Sequence, residues 1–203
     1  DVVNNEHRTL ERMQGTADVD AAIKNLDFDA ISRTYEKQNE FLLIEQFLDE
    51  KAVAPLVAEA NQMRSQINRN YIPKHKKGGS VSYFALANKA PAILSLYRAP
   101  AFIELLSRLS GVRLLLCPDS DPHACALYYY TEPGDHIGFH YDTSYYKGAR
   151  YTVLNGLLEQ PSSHLVCQLY KGDPTREPQE LSVATTPGTL GFFNGDKLYH
   201  AVT

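Results

Sequence analysis

Hydrophobic and polar positions along the chain repeat with two different periods, and the change falls near Gly111. Upstream of it, Val53, Leu56, Val57, Ala60 and Met63 recur at helical spacing behind Asp49, a residue suited to an N-cap. Two shorter helices are predicted around Ala90–Tyr97 and Ala101–Leu109, divided by Ala99-Pro100. Phe41-Leu42-Leu43-Ile44 reads as a short buried strand, and the rest of the chain to about Arg69 reads as mostly helical. The basic run Lys74-His75-Lys76-Lys77, closed by Gly78-Gly79, reads as a loop.

Downstream, short β-prone runs cover Val112–Cys117, His123–Thr131, His136–Tyr141, Tyr151–Leu158, His164–Tyr170, Leu181–Ala184, Thr189–Asn194 and Leu198–Thr203. Turn signals separate them, among them Glu132-Pro133-Gly134-Asp135, Lys171-Gly172-Asp173-Pro174, Pro187-Gly188 and Asn194-Gly195-Asp196. Strands at this spacing predict an α+β fold with a sandwich or jelly-roll core and the N-terminal helices packed on one sheet. The expectation is one domain over residues 1–203, with 1–110 as mainly helical support and 111–203 as the β core.

Composition narrows the function classes. The chain has 203 residues, of which 43% are hydrophobic and 22% charged, enough to bury a core without disulfide or metal staples. A net charge of −4 argues against nucleic acid as a partner, because phosphate binding needs a concentrated basic surface. No apolar run approaches the roughly eighteen residues of a membrane helix, so no membrane role is expected. The three cysteines, Cys117, Cys125 and Cys167, form no C-x-x-C pair and are odd in number, which fits a reducing, cytoplasmic compartment.

The chemistry concentrates at His140-Tyr141-Asp142, at the end of a strand-like run. Side chains alternate on a strand, so His140 and Asp142 fall on one face, close enough to share an ion. A third donor is supplied by His200, behind the strand that ends in Gly191-Phe192-Phe193-Asn194. Two histidines and one carboxylate form the facial triad that leaves open positions on non-haem Fe(II).

Two segments carry a family resemblance. Tyr130-Thr-Glu-Pro-Gly134-Asp-His-Ile-Gly-Phe-His140-Tyr-Asp142, together with Pro187-Gly188-Thr-Leu-Gly-Phe-Phe-Asn-Gly-Asp-Lys-Leu-Tyr-His200-Ala-Val, is similar to the two metal strands of the Fe(II)/2-oxoglutarate-dependent oxygenases, in their prolyl-hydroxylase-like branch. Tyr128-Tyr129-Tyr130, and the basic loop before Ser80-Val81-Ser82-Tyr83, also resemble the carrier-independent amino-acid halogenase and hydroxylase group. The resemblance implies a double-stranded β-helix core, His140, Asp142 and His200 as iron ligands, and 2-oxoglutarate and O₂ as co-substrates. It implies oxidation of a C–H bond in a small, amino-acid-like substrate, by hydroxylation, desaturation or ring closure. Halogenases of that group lack the metal carboxylate, so Asp142 disfavours halogenation. The usual carboxylate anchor for 2-oxoglutarate follows the second histidine, and it is expected beyond Thr203 on a further strand.

Other residues are candidates for the surroundings of the metal. Tyr128 or Tyr130 is placed at the co-substrate, since a one-residue offset decides which of a strand's faces each occupies. Arg150 is a candidate partner for a co-substrate carboxylate. Asn155 interrupts an apolar run, which suggests a cavity-facing amide. Tyr145 is expected at the pocket mouth, and Lys77 on a mobile lid as a carboxylate holder. Gly191, inside a strand, suggests a bulge. Three alternatives stay open: a peptidyl hydroxylase of the same chemistry, a non-catalytic jelly-roll module holding Zn²⁺ or no metal, and a cupin-like centre that draws on His136.

Overall fold

The computed structural model describes residues 16–142, 149–159 and 162–203. Residues 16–24 are helical. In chain order there follow α1 (Phe28–Lys37), β1 (Phe41–Ile44), α2 (Glu50–Gln62), β2 (Asn68–Ile72), β3 (Lys76–Val81), α3 (Tyr83–Lys89), α4 (Pro91–Arg98), α5 (Pro100–Ser110), β4 (Leu127–Tyr129), β5 (His136–His140), β6 (Tyr151–Asn155), β7 (Leu165–Leu169), β8 (Gln179–Val183), β9 (Leu190–Asn194) and β10 (Tyr199–Val202). They group into two compact units, one made of the chain to Leu26, Leu48–Asn68 and Ser80–Tyr128, the other of Asp27–Phe47, Arg69–Gly79 and Tyr129–Thr203.

The first unit is helical. Asp49 caps α2 by accepting the amide of Ala52 at 2.8 Å. Helix α4 has no local cap, and the buried carboxylate of Glu59 on α2 substitues for one, accepting the amides of Ala92 at 2.9 Å and Ile93 at 2.8 Å. Val53, Leu56, Ala60, Leu86, Leu94, Phe102, Leu105 and Leu106 are buried. Residues 112–117 do not form the expected strand. The amide of Leu114 bonds to Ser107 Oγ and that of Cys117 to the Tyr97 hydroxyl. Side chains of the preceding helices thus satisfy this backbone, and Val112, Leu115 and Leu116 are exposed.

The second unit is a two-sheet sandwich. One sheet has the order β1-β9-β6; the other runs β2-β3-β5-β10-β7-β8, with β4 paired to β3. Phe41, Phe193, Leu165, Cys167, Leu169 and Leu198 form the buried cluster between them. On its other face the smaller sheet carries Phe192, stacked on Tyr35 of α1 at 5.6 Å and on Tyr151 at 5.7 Å. All five residues of β9 are therefore buried. Gly191 is no bulge, because β9 pairs without a register break to both β1 and β6.

The basic run is not a loop either. Lys74, at φ 63°, and a bond from the His75 amide to the Ile72 carbonyl turn β2 into β3. Strand β2 is exposed at every residue, so it carries no hydrophobic alternation that would announce it. Arg69 on β2 grips the turn before β5: its guanidinium donates to both oxygens of Asp135, at 2.9 and 2.6 Å, and pairs with Glu132 at 3.2 Å. The guanidinium beside it holds the buried Asp135 carboxyl below the usual carboxylate range, against the opposing effect of burial.

Arg69→Ala leaves that carboxylate without its partner and is expected to cost about 1–3 kcal/mol at neutral pH. Because folding depresses the Asp135 pKa, the stabilisation is complete above the ordinary carboxylate pKa and disappears as pH falls through the depressed value. Urea unfolding of wild type and variant at pH 7 and in acid checks this, with the difference shrinking in acid.

Candidate metal centre

The pairing of β5 with β10 sets His140 directly opposite His200, with ring centroids 4.4 Å apart. Residues opposed across two strands point to the same face, so both imidazoles are directed to one side. Each ring is then oriented by its own backbone. His140 Nδ1 lies 2.8 Å from the Gly138 carbonyl and His200 Nδ1 lies 3.0 Å from the Leu198 carbonyl. A carbonyl only accepts, so both Nδ1 atoms carry a proton, and Nε2 is the atom each ring offers to a cation. Asp142 Oδ1 stands 3.3 Å from His140 Nε2 and 3.5 Å from His200 Nε2. Its second oxygen, Oδ2, accepts a hydrogen bond from Thr152 Oγ1 at 2.7 Å.

Two imidazole nitrogens and one carboxylate oxygen thus lie within 4.8 Å of one another, with donors already turned inward. This set fits a divalent metal. The Asp142 carboxylate lifts His140 above the ordinary imidazole range, against burial, and a bound cation would displace the proton that His140 Nε2 shares with it. Burial draws His200 below that range. Burial alone would raise Asp142, but the bond from His140, the nearby His200 and the bond from Thr152 outweigh it and hold the carboxyl low. The carboxylate is therefore ionised and His200 neutral at neutral pH, the forms a metal requires.

The strand alternation that the sequence predicts for His140 and Asp142 does not extend to the carboxylate. Strand β5 ends at His140, and two neighbours set the carboxylate instead. One is Thr152. The other is Gly195, where an added Cβ would stand 2.8 Å from the Arg150 carbonyl, 2.9 Å from the Asp142 carbonyl and 3.1 Å from Asp142 Cβ. The sequence shows Gly195 only as a turn residue, yet what it supplies is space. Thr152 sits unremarked in a β-prone run. His75 falls in the basic run, where the sequence gives no sign of a site; its ring lies edge-on to His140 at 6.3 Å, and Gly138 leaves it room, an added Cβ there falling 3.4 Å from His75 Nδ1.

The remaining candidates are spread more widely. Tyr128 is exposed and its hydroxyl meets His123 Nδ1 at 3.1 Å, whereas Tyr129 takes the buried face of β4. Tyr130 packs beside Gly78 of β3. Arg150 contributes its carbonyl, which accepts the Gly195 amide at 2.8 Å. Asn155 does not face the metal: strand alternation puts it with Tyr151 and Val153, opposite the face from which Thr152 reaches Asp142. Lys77 is on a paired strand rather than a lid, and its ammonium donates to the Pro133 carbonyl at 2.9 Å. Tyr145 lies outside the described residues. His136 keeps its ring on the Gly134 carbonyl at 2.8 Å and is not among the clustered donors.

Three solved structures are similar in fold. A prolyl-4-hydroxylase from Pseudomonas putida superposes with a TM-score of 0.63 at 16% identity, over 86% of this chain and 90% of its own. The epimerase SnoN from nogalamycin biosynthesis, in complex with Fe3+, alpha ketoglutarate and nogalamycin RO, gives 0.63 at 15%, over 86% and 76%. A prolyl hydroxylase from Trichoplax adhaerens, bound to a hypoxia inducible factor peptide fragment, gives 0.61 at 13%, over 86% of each chain. The chain shares their fold. The core is accordingly a double-stranded β-helix. No protein-family model and no curated protein matches the sequence.

Two substitutions test how the β-helix core holds its carboxylate. Gly195→Ala must displace Asp142 and is expected to weaken Zn²⁺ binding by roughly 10–100-fold, as losses around a ligand do. Gly191→Ala, whose Cβ meets neighbours only at 3.5 Å and beyond, is expected to leave it unchanged. Calorimetric Zn²⁺ titration of both variants reads the difference.

Proposed function

We propose that the protein is an Fe(II)- and 2-oxoglutarate-dependent oxygenase that oxidises a C–H bond of a small, amino-acid-like molecule. The observation that carries this reading is the convergence of two Nε2 atoms and one carboxylate oxygen, with both imidazole tautomers set by backbone carbonyls. His140, Asp142 and His200 would hold the metal. Iron bound there supplies O₂ activation coupled to oxidative decarboxylation of 2-oxoglutarate to succinate. The hydroxylases and the 2-oxoglutarate-bound epimerase with this fold support the reaction class.

This chain's own residues supply orientation. The Nδ1 bonds keep both rings aimed at one point, and Thr152 holds one carboxylate oxygen away so that the other remains a single donor. Asp142 occupies the place a halide would need, which favours oxygen transfer or dehydrogenation over halogenation. Lys77 stands opposite His136 across β3 and β5, and the register shift between His200 and Val202 turns this pair to the face away from His140. Tyr130 and Arg150 are the remaining candidates for the co-substrate.

A second reading, peptidyl hydroxylation, is favoured by β2, an edge strand exposed at all five residues with Tyr71 70% exposed. An extended peptide can add to such an edge.

Anaerobic addition of Fe(II) and 2-oxoglutarate is expected to produce the weak visible charge-transfer band of the chelate. Asp142→Ala and His200→Ala are each expected to abolish it and to weaken metal binding by more than the roughly 100-fold typical of outer partners. Correctly folded, iron-loaded wild type without the band contradicts the 2-oxoglutarate assignment. O₂-dependent succinate formation stimulated by free amino acids, but not by peptides, supports the first reading over the second.

A further inference from the structure

We propose that Tyr199, with Phe139 and Tyr141, positions the metal ligands from the opposite face of the sheet. This rests on the metal-centre reading and not on the identity of the co-substrate. Each of these aromatics is the chain neighbour of a ligand: Phe139 and Tyr141 flank His140, Tyr141 precedes Asp142, and Tyr199 precedes His200. Alternation turns all of them away from the metal side, where they form one stack. The Tyr199 ring is its centre, 5.1 Å from Phe139 at an interplanar angle of 20° and 5.1 Å from Tyr141 at 40°. Lys171 Nζ lies 5.6 Å from the same ring, and the Tyr141 hydroxyl donates to the Lys171 carbonyl at 3.3 Å.

The stack acts where the sheet does not. The β5–β10 ladder shifts register between His200 and Val202, immediately beside the pair that carries the two imidazoles. Strand β5 ends at His140, so the ladder does not set the approach of Asp142 to the two Nε2 atoms. Tyr141 is the one residue between the last ladder position and that carboxylate. Its ring is held on Tyr199 and its hydroxyl on the β7 turn, which fixes the direction in which the chain leaves the strand. Aromatic pairs of this kind carry geometry as well as area.

The test is Zn²⁺ affinity and the visible spectrum of the Co²⁺-loaded full chain, measured well below the melting temperature. Tyr199→Ala is expected to weaken Zn²⁺ binding by roughly 10–100-fold and to change the Co²⁺ bands. Tyr199→Phe keeps the ring and is expected to restore both. Leu181→Ala, which thins the core at β8, is expected to lower the melting temperature without moving Zn²⁺ affinity. Phe139→Ala, at a more exposed position, gives the same readout if Tyr199→Ala does not fold. Wild-type affinity and spectrum in the alanine variants overturn the proposal, as does an equal loss in Leu181→Ala. Wild type that binds no Zn²⁺ overturns the metal reading and the proposal with it.

Discussion

Everything at the centre depends on one cross-strand pair. With His140 opposite His200, the sheet commits both imidazoles to the same side. A slip of one residue would turn one of the rings to the outer face and dissolve the site. The pair is held from within by the core: Phe193 lies edge-on to His200 at 5.1 Å and belongs to the cluster that joins the two sheets. Packing of the sandwich and placement of the ligands are thus one constraint, because the side chain that fills the core beside His200 is also the one that braces it.

Around this pair, orientation comes from groups that cost the chain little. Two backbone carbonyls set the tautomers, and one threonine hydroxyl and one glycine set the carboxylate. None of these four groups has a chemical signature of its own, yet together they turn three common residues into converging donors. The same economy explains how proteins 13–16% identical to this chain share its fold. The fold needs only alternation, turns and a few small residues, whereas function is decided by the side chains placed on it.

Strand β7 was readable because its buried face alternates, with Leu165, Cys167 and Leu169 inward, and β9, buried at all five residues, because it is an apolar run between turn signals. The triad was readable because imidazole and carboxylate are rare in such runs. Three things were hidden. Strand β2 is exposed throughout, so its existence depends on Arg69 reaching Asp135 rather than on any period. Residues 112–117 look like a strand, but helix side chains take their amides first. Asn155 and Gly191 suggested a cavity and a bulge, and both belong to regular ladder positions whose neighbours only the paired strands reveal. Composition marks what is buried; it does not say which partner meets it.

The proposed site holds one metal ion by the two Nε2 atoms and the Asp142 oxygen, with the remaining positions open. Iron K-edge X-ray absorption of the anaerobically Fe(II)-loaded protein tests it most directly. The structure predicts outer-shell scattering from two imidazole rings, with oxygen donors completing the coordination. Scattering from one ring, from three, or from none would contradict the account.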